Sequence, residues 1–291
     1  MIKLHNFKRF VFVIGCTGLA FFSSCTESFV MDTGSTYTRL CVEGNITTDT
    51  MKHKVRLVKS RDLNDNSPFK PVSDANVTIT DGLNVFPLKE DTTDRGSYYT
   101  DSTVYGLPGR TYTLDIKNVD INNDGVMEEY MASSKLMGVN PIDSFTIYYN
   151  NINEHMKGWS LDLYARDAGG GRNFYLIKAR QNGVMLTDSI YKYSFSDNLG
   201  FEGKYFNGFQ AYYIQETTKT KLKTGDTITL EMSGITEDYY NFIIDYITEY
   251  YPKIPIFSGP SANVSTNVEP KNKTMGFFAA YSIQRKTRIY R

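Results

Sequence analysis

The chain has 291 residues, with 32 basic and 32 acidic side chains, 22 tyrosines, 18 phenylalanines and three cysteines. A balanced charge without a basic cluster argues against nucleic acid as a partner, and so few cysteines argue against a disulfide-stapled scaffold. Tyr, Thr, Val and Ile spread through short runs favour strands over helices.

Residues 1–24 are expected to form a secretory leader, with Cys25 the first residue after the cut. Lys3, Lys8 and Arg9 precede the apolar run Phe10 to Phe22, and Ser23-Ser24-Cys25 supplies small residues at a cut. Two cysteines compete for a lipid. Val13-Ile14-Gly15-Cys16 matches a strict lipobox, yet cleavage there leaves too short an apolar region and strands Leu19, Phe21 and Phe22 on the mature chain. Cys25 leaves an adequate run and starts the mature chain with Thr26-Glu27-Ser28, so it is the expected lipidation site. An ordinary cleaved signal and an uncleaved anchor are the alternatives; the run is shorter than the roughly twenty residues that a spanning helix needs. Removing the three leader cations tips the mature chain to a net charge near −3.

Residues 25–38 are polar and aperiodic, as in a tether. A first β domain is expected over residues 39–140. Leu40 to Gly44, the alternation around Val55 and Leu57, Val77 and Ile79, Gly96 to Tyr99, and Tyr112, Leu114 and Ile116 predict strands. Asp81-Gly82 and Gly106-Leu107-Pro108-Gly109 are turns between them. Short strands at this spacing fit a small β-sandwich.

Asn140-Pro141 marks the expected boundary, and residues 141–291 a second β-rich domain. Phe145 to Tyr149, the alternation Trp159, Leu161, Leu163, Ala165, then Phe174 to Ala179, and Ile228, Leu230, Met232 are its strands. Asn182-Gly183 is a hairpin signal. One helix is expected at about 236–251: Thr236 caps it, Glu237 and Asp238 suit the dipole, and Pro252 ends it. Its stripe of Tyr239, Phe242, Ile243, Tyr246, Ile247 and Tyr250 predicts packing against a sheet rather than a ligand face. Gly276 to Ile283 is a last strand before a basic tail.

Chemistry-bearing motifs are sparse. His53 and His155 lack a second ligand type at zinc spacing. No Gly-x-Ser-x-Gly elbow, P-loop or dinucleotide fingerprint occurs. Cys41 sits in an apolar strand as a small hydrophobe rather than a nucleophile. The sharpest local pattern is Asp120-Ile121-Asn122-Asn123-Asp124-Gly125. Oxygen side chains of Asp120, Asn122 and Asp124 at alternate positions before a glycine match the first half of a calcium loop. The twelfth position is Met131 instead of Glu, and the flanks predict strands; a polar hairpin turn is the competing account. Calcium at this loop is the one cofactor weighed, and no other is expected.

Landmarks along the mature chain resemble the Bacteroidota lipoprotein family called domain of unknown function 4249. They are Ser24-Cys25-Thr26-Glu27, Leu40 to Thr47, Pro71 to Ile79, Gly106 to Leu114, Pro141-Ile142-Asp143-Ser144, Gly259-Pro260, Thr266-Asn267-Val268 and Gly276 to Ser282. Cys41 replaces a more usual aliphatic residue, and the Asp120–Gly125 loop looks like an insertion. Pro71 to Leu114 also resembles a transthyretin-like or carboxypeptidase-regulatory-like sandwich. The expected fold is therefore mainly β, a transthyretin/Ig-like sandwich followed by a second antiparallel β domain with one helix. The resemblance implies a lipid-anchored outer-membrane protein, on the periplasmic or surface face, often associated with a TonB-dependent receptor and assigned no catalytic residues. A non-enzymatic accessory or ligand-binding partner of such a receptor is the expected function. A surface adhesin or glycan-binding module, with Tyr and Trp159 stacking on sugars, and a hydrolase with carboxylates paired only in the fold are the alternatives.

Overall fold

The computed structural model describes residues 38–62, 65–151, 157–218, 220–251 and 264–291. Cys16, Cys25, His155, Pro252 and the Gly259-Pro260 landmark lie outside them. The fold is mainly β, as the alternating patterns predict, with several antiparallel sheets and one α-helix among the described residues.

Strands β1 (Leu40–Thr47), β2 (Lys54–Lys59), β3 (Asn76–Thr80), β4 (Val85–Pro87), β5 (Lys89–Glu90), β6 (Ser97–Tyr99), β7 (Thr111–Val119) and β8 (Glu128–Lys135) come first. Their alternate residues turn inward: Leu40, Val42 and Ile46 of β1 and Tyr112, Leu114 and Ile116 of β7 are buried in one cluster with Leu57 and Ile79. Each such side chain contributes roughly 1.5–3 kcal/mol on leaving water. Next come β9 (Ile142–Asn151), β10 (Lys157–Arg166), β11 (Phe174–Gln181), β12 (Val184–Met185), β13 (Ser194–Asp197), β14 (Tyr205–Gln215) and β15 (Thr227–Ile235). Asn182 and Gly183 take φ of 51° and 81° between β11 and β12, the left-handed pair that a two-residue hairpin requires.

The last strand joins these two sets. After helix α1 (Glu237–Tyr250) and the short β16 (Val268–Glu269), β17 runs from Thr274 to Ile289. Its first half pairs in parallel with β1, Leu40 opposite Thr274 and Thr47 opposite Tyr281. Its second half pairs antiparallel with β15, Gly234 opposite Ser282 and Thr227 opposite Ile289. One large sheet, β12-β11-β15-β17-β1-β2-β6-β5, therefore runs through both halves of the chain, across the junction expected at Asn140-Pro141. The sheet β16-β8-β7-β3-β4 shares the first core with it, and β14-β10-β9 shares a second core of Phe145, Trp159, Leu161, Tyr175, Leu230 and Met232.

Alternation along β17 decides which layer each residue serves. Phe278 and Ala280 enter the first core, whereas Phe277, Ala279 and Tyr281 share a cluster with Phe242 and Ile243 of α1. Gly276 lets β17 lie against β1. Its φ is +90°, and an added Cβ would stand 2.0 Å from the Val42 carbonyl oxygen. The helix begins as expected: Thr236 Oγ1 accepts from the Tyr239 amide, and Glu237 and Asp238 occupy the first turn. Such a cap contributes about 1 kcal/mol. Tyr250 is half exposed and stacks on Tyr191 at 4.4 Å instead of entering the core. Among the described residues no helix is long and apolar enough to cross a membrane.

Candidate functional site

At the Thr47 end of β1 the loops of the first sandwich enclose a cleft of about 790 Å³. That volume lies within the roughly 300–1,000 Å³ usual for small-molecule sites. Three walls meet there. The β3–β4 hairpin supplies Asp81, Asn84 and Phe86; the β5–β6 pair supplies Lys89 and Tyr99; the loop before β7 supplies Asp101, Tyr105 and Arg110.

Each wall is fixed by local chemistry. Asp81 accepts from the amides of Leu83 at 3.0 Å and Asn84 at 2.7 Å, closing the hairpin, and from Arg110 Nη1 across the cleft. Burial alone would raise this carboxyl, but those amides, the Asn84 side chain and Arg110 outweigh it and hold it at about 2. Asp91 and Asp101 each accept from the backbone amide two residues on, and hydroxyls of Thr93 and Thr103 join them; both carboxyls lie below their ordinary range through these bonds. The third wall rests on His53, which is buried under it. His53 Nε2 lies 3.2 Å from the Val104 carbonyl oxygen, and its backbone amide donates to Thr100 Oγ1. Burial lowers its pKa, so the ring is neutral. Gly106 completes the wall by donating to Thr47 O at 2.7 Å, and a Cβ there would come 2.4 Å from Leu136 Cδ1.

The result is a rigid, mixed surface. Tyr105 and Val85 are exposed, Phe86 and Tyr99 half-buried, and Lys52 and Lys89 bring ammonium groups among carboxylates that are already hydrogen-bonded. Aromatic faces with a few oriented polar groups suit a polar, partly apolar small molecule.

The residues singled out in the sequence lie elsewhere. Asp120, Asn122 and Asp124 do meet in one loop between β7 and β8, but the carboxylate oxygens of Asp120 and Asp124 already accept hydrogen bonds within it. Asp120 accepts from the amides of Asp124 and Gly125, and Asp124 from Asn122 Nδ2 and the Val126 amide. Lys59 Nζ donates to Asp120 O at 3.2 Å, Ile121 O at 2.7 Å and Asn123 Oδ1 at 3.2 Å, so an ammonium sits among the loop's inward oxygens. No group of three His, Cys, Asp or Glu side chains that could hold a metal ion occurs among the described residues. Cys41 is half-buried, and burial pushes its thiol up to about 11, which keeps it protonated. Trp159 is buried against Tyr149 and Tyr290, so its ring is not the exposed stacking face that the glycan-binding alternative needs.

A second charged group crosses the large sheet on the α1 side. Buried Glu231 accepts from Arg180 Nε at 2.6 Å and lies 3.2 Å from Arg285 Nε. Lys178 stands opposite Glu231 in register, yet its Nζ lies 4.4 Å from the centre of the Tyr193 ring. Burial lowers its pKa to about 8.

The cleft residues Lys52, Asp81, Tyr99 and Tyr105 carry no shared motif, and only the turn signals at Asp81-Gly82 and Gly106–Gly109 pointed toward its walls. Fold and cleft together define a β protein with two sheet-on-sheet cores, a third cluster under its helix, and a loop-walled cleft at one pole of its first sandwich. The chain belongs to the family described as domain of unknown function (DUF4249), whose profile matches residues 26–287. A search of the curated proteins matched none.

Proposed function

We propose that the protein is a non-enzymatic, ligand-binding lipoprotein of an outer membrane, tethered through Cys25 and acting as accessory to a TonB-dependent nutrient receptor. The carrying observation is the cleft of about 790 Å³ with its fixed, mixed lining. The leader ending in Ser23-Ser24-Cys25 supports the anchor, since two or more acyl chains hold a protein stably at a membrane. Binding is favoured over hydrolysis by the carboxyls. Every Asp or Glu whose pKa is displaced among the described residues is displaced downward, whereas a glycosidase acid needs a raised one.

A glycan is the second reading, favoured by the rings of Phe86, Tyr99 and Tyr105 within one cleft. The test has two parts. Affinity purification from membranes is expected to recover a TonB-dependent receptor with the wild type and to lose it with Cys25→Ser, which leaves the membrane fraction. Ligands retained by the purified chain are expected to lose affinity on Tyr105→Ala and Lys89→Ala. Retention by both cleft variants overturns the site, and recovery without any receptor overturns the accessory role.

A further inference from the structure

The second core has an open seam. Among the described residues β9 pairs only with β10, and on its outer edge the Phe145 carbonyl accepts from Arg288 Nη1 while no strand lies against the rest. β17 leaves β1 at Tyr281, and among the described residues its stretch from Gln284 to Ile289 pairs with β15 alone. The two edges flank a slot of about 480 Å³ lined by Thr146, Ile147 and Tyr148 of β9 and by residues 287–291 at the end of β17.

Three observations say what the slot takes. Its lining includes Arg288 and Arg291 and no Asp or Glu side chain, with Lys286 on the same stretch. Tyr148 and Ile289 are more than half exposed at its rim. Thr146 Oγ1 is buried without a hydrogen-bond partner in its wall, and the indole N–H of Trp159, packed on the slot residue Tyr290, is buried without one too. Charge on an edge strand alone is ordinary protection against aggregation. The Thr146 hydroxyl adds a polar group to the wall beside the guanidinium of Arg288.

We propose that an extended, acidic segment of a partner protein enters this slot as an added strand, pairing its backbone with β9 beyond Phe145, whose carbonyl Arg288 Nη1 already holds, and its carboxylates with Arg291 and the remaining N–H groups of Arg288. Main-chain hydrogen bonds along an open edge supply the affinity of such complexes, and the flanking cations select sequence. The site is separate from the cleft and does not depend on its ligand.

The test uses the full mature chain in detergent and a fluorescent, amidated eight-residue peptide of alternating Thr and Glu. Anisotropy is expected to show saturable binding, and hydrogen exchange is expected to slow at the amides of Phe145 to Tyr149. A Thr–Lys peptide, and the acidic peptide with two central prolines, are expected not to bind. Arg291→Glu, an exposed position whose unchanged melting temperature reports an intact fold, is expected to weaken binding about fivefold or more. Failure of the acidic peptide to bind overturns the proposal. Equal binding of the proline peptide, or displacement by heparin with no protection of β9, also overturns it, because either marks ionic adhesion without strand addition.

Discussion

Arg285 and Asp49 are bound through two hydrogen bonds, Nη1 to Oδ1 at 2.8 Å and Nη2 to Oδ2 at 2.6 Å, across 236 positions of chain. The pair fastens the segment after β1 to the C-terminal half of β17, just where β17 changes partners. Arg285 also faces Glu231, which is 4 % exposed.

Arg285→Met is therefore expected to destabilise by about 2–3 kcal/mol, because Asp49 loses its partner and Glu231 keeps only Arg180. The Arg285 hydrogen bond is the first cause holding the Asp49 carboxyl below its ordinary value. A depressed carboxyl adds stability above its unfolded pKa and loses it as pH falls through the folded one. The difference between wild type and Asp49→Asn in urea unfolding should thus be full at pH 6 and shrink below about pH 4.

Asp81 has the same sign over a lower window. Its carboxyl is held at about 2, so its contribution persists through mild acid and fades only as pH falls toward that value. The shift corresponds to roughly 2 kcal/mol. Asp81→Asn should raise the acid-unfolding midpoint, measured by circular dichroism, and weaken any cleft ligand by freeing Arg110.

Lys178 predicts the opposite direction. Its folded pKa of about 8 lies below the unfolded value, so between the two the unfolded chain holds a proton that the folded chain has released. Stability from this group rises with pH across that window. Lys178→Met should be more stable than wild type at pH 7, by about 1–2 kcal/mol after allowance for its partial solvent access. The gap should narrow by pH 10. A less stable variant at pH 7 would show that the Tyr193 contact outweighs the cost of burying the charge.

Lys59 governs the loop of alternating oxygens. Losing its donations to Asp120 O and Ile121 O should cost about 1–2 kcal/mol in Lys59→Met. Millimolar calcium and a chelator should leave the wild-type melting temperature equal. A calcium-induced rise in the wild type would mean that the ion displaces the ammonium.

Much of the fold was legible because strand and helix periods are local. The alternation of Tyr112, Leu114 and Ile116, the Asn182-Gly183 hairpin and the Thr236-capped helix all stand where the sequence places them. β14 was not legible. Its pairing with β10 shifts register twice, and Gly208 sits at φ +77°, so inward residues do not recur at period two. The basic tail proved to be strand as far as Ile289: Arg285 and Lys286 are neighbours on opposite faces, and charges on both faces hide the alternation.

By itself the sequence determined the strand composition and the one helix among the described residues, because each depends on residues a few positions apart. Tertiary structure alone decided that β17 lies between β1 and β15, that Lys59 sits in the Asp120–Gly125 loop, and that Lys52, Asp81, Tyr99 and Tyr105 wall one cleft. The β1 and β17 partners stand as far apart as Leu40 and Thr274, and backbone pairing across such distances depends on sheet order, to which no local period is sensitive.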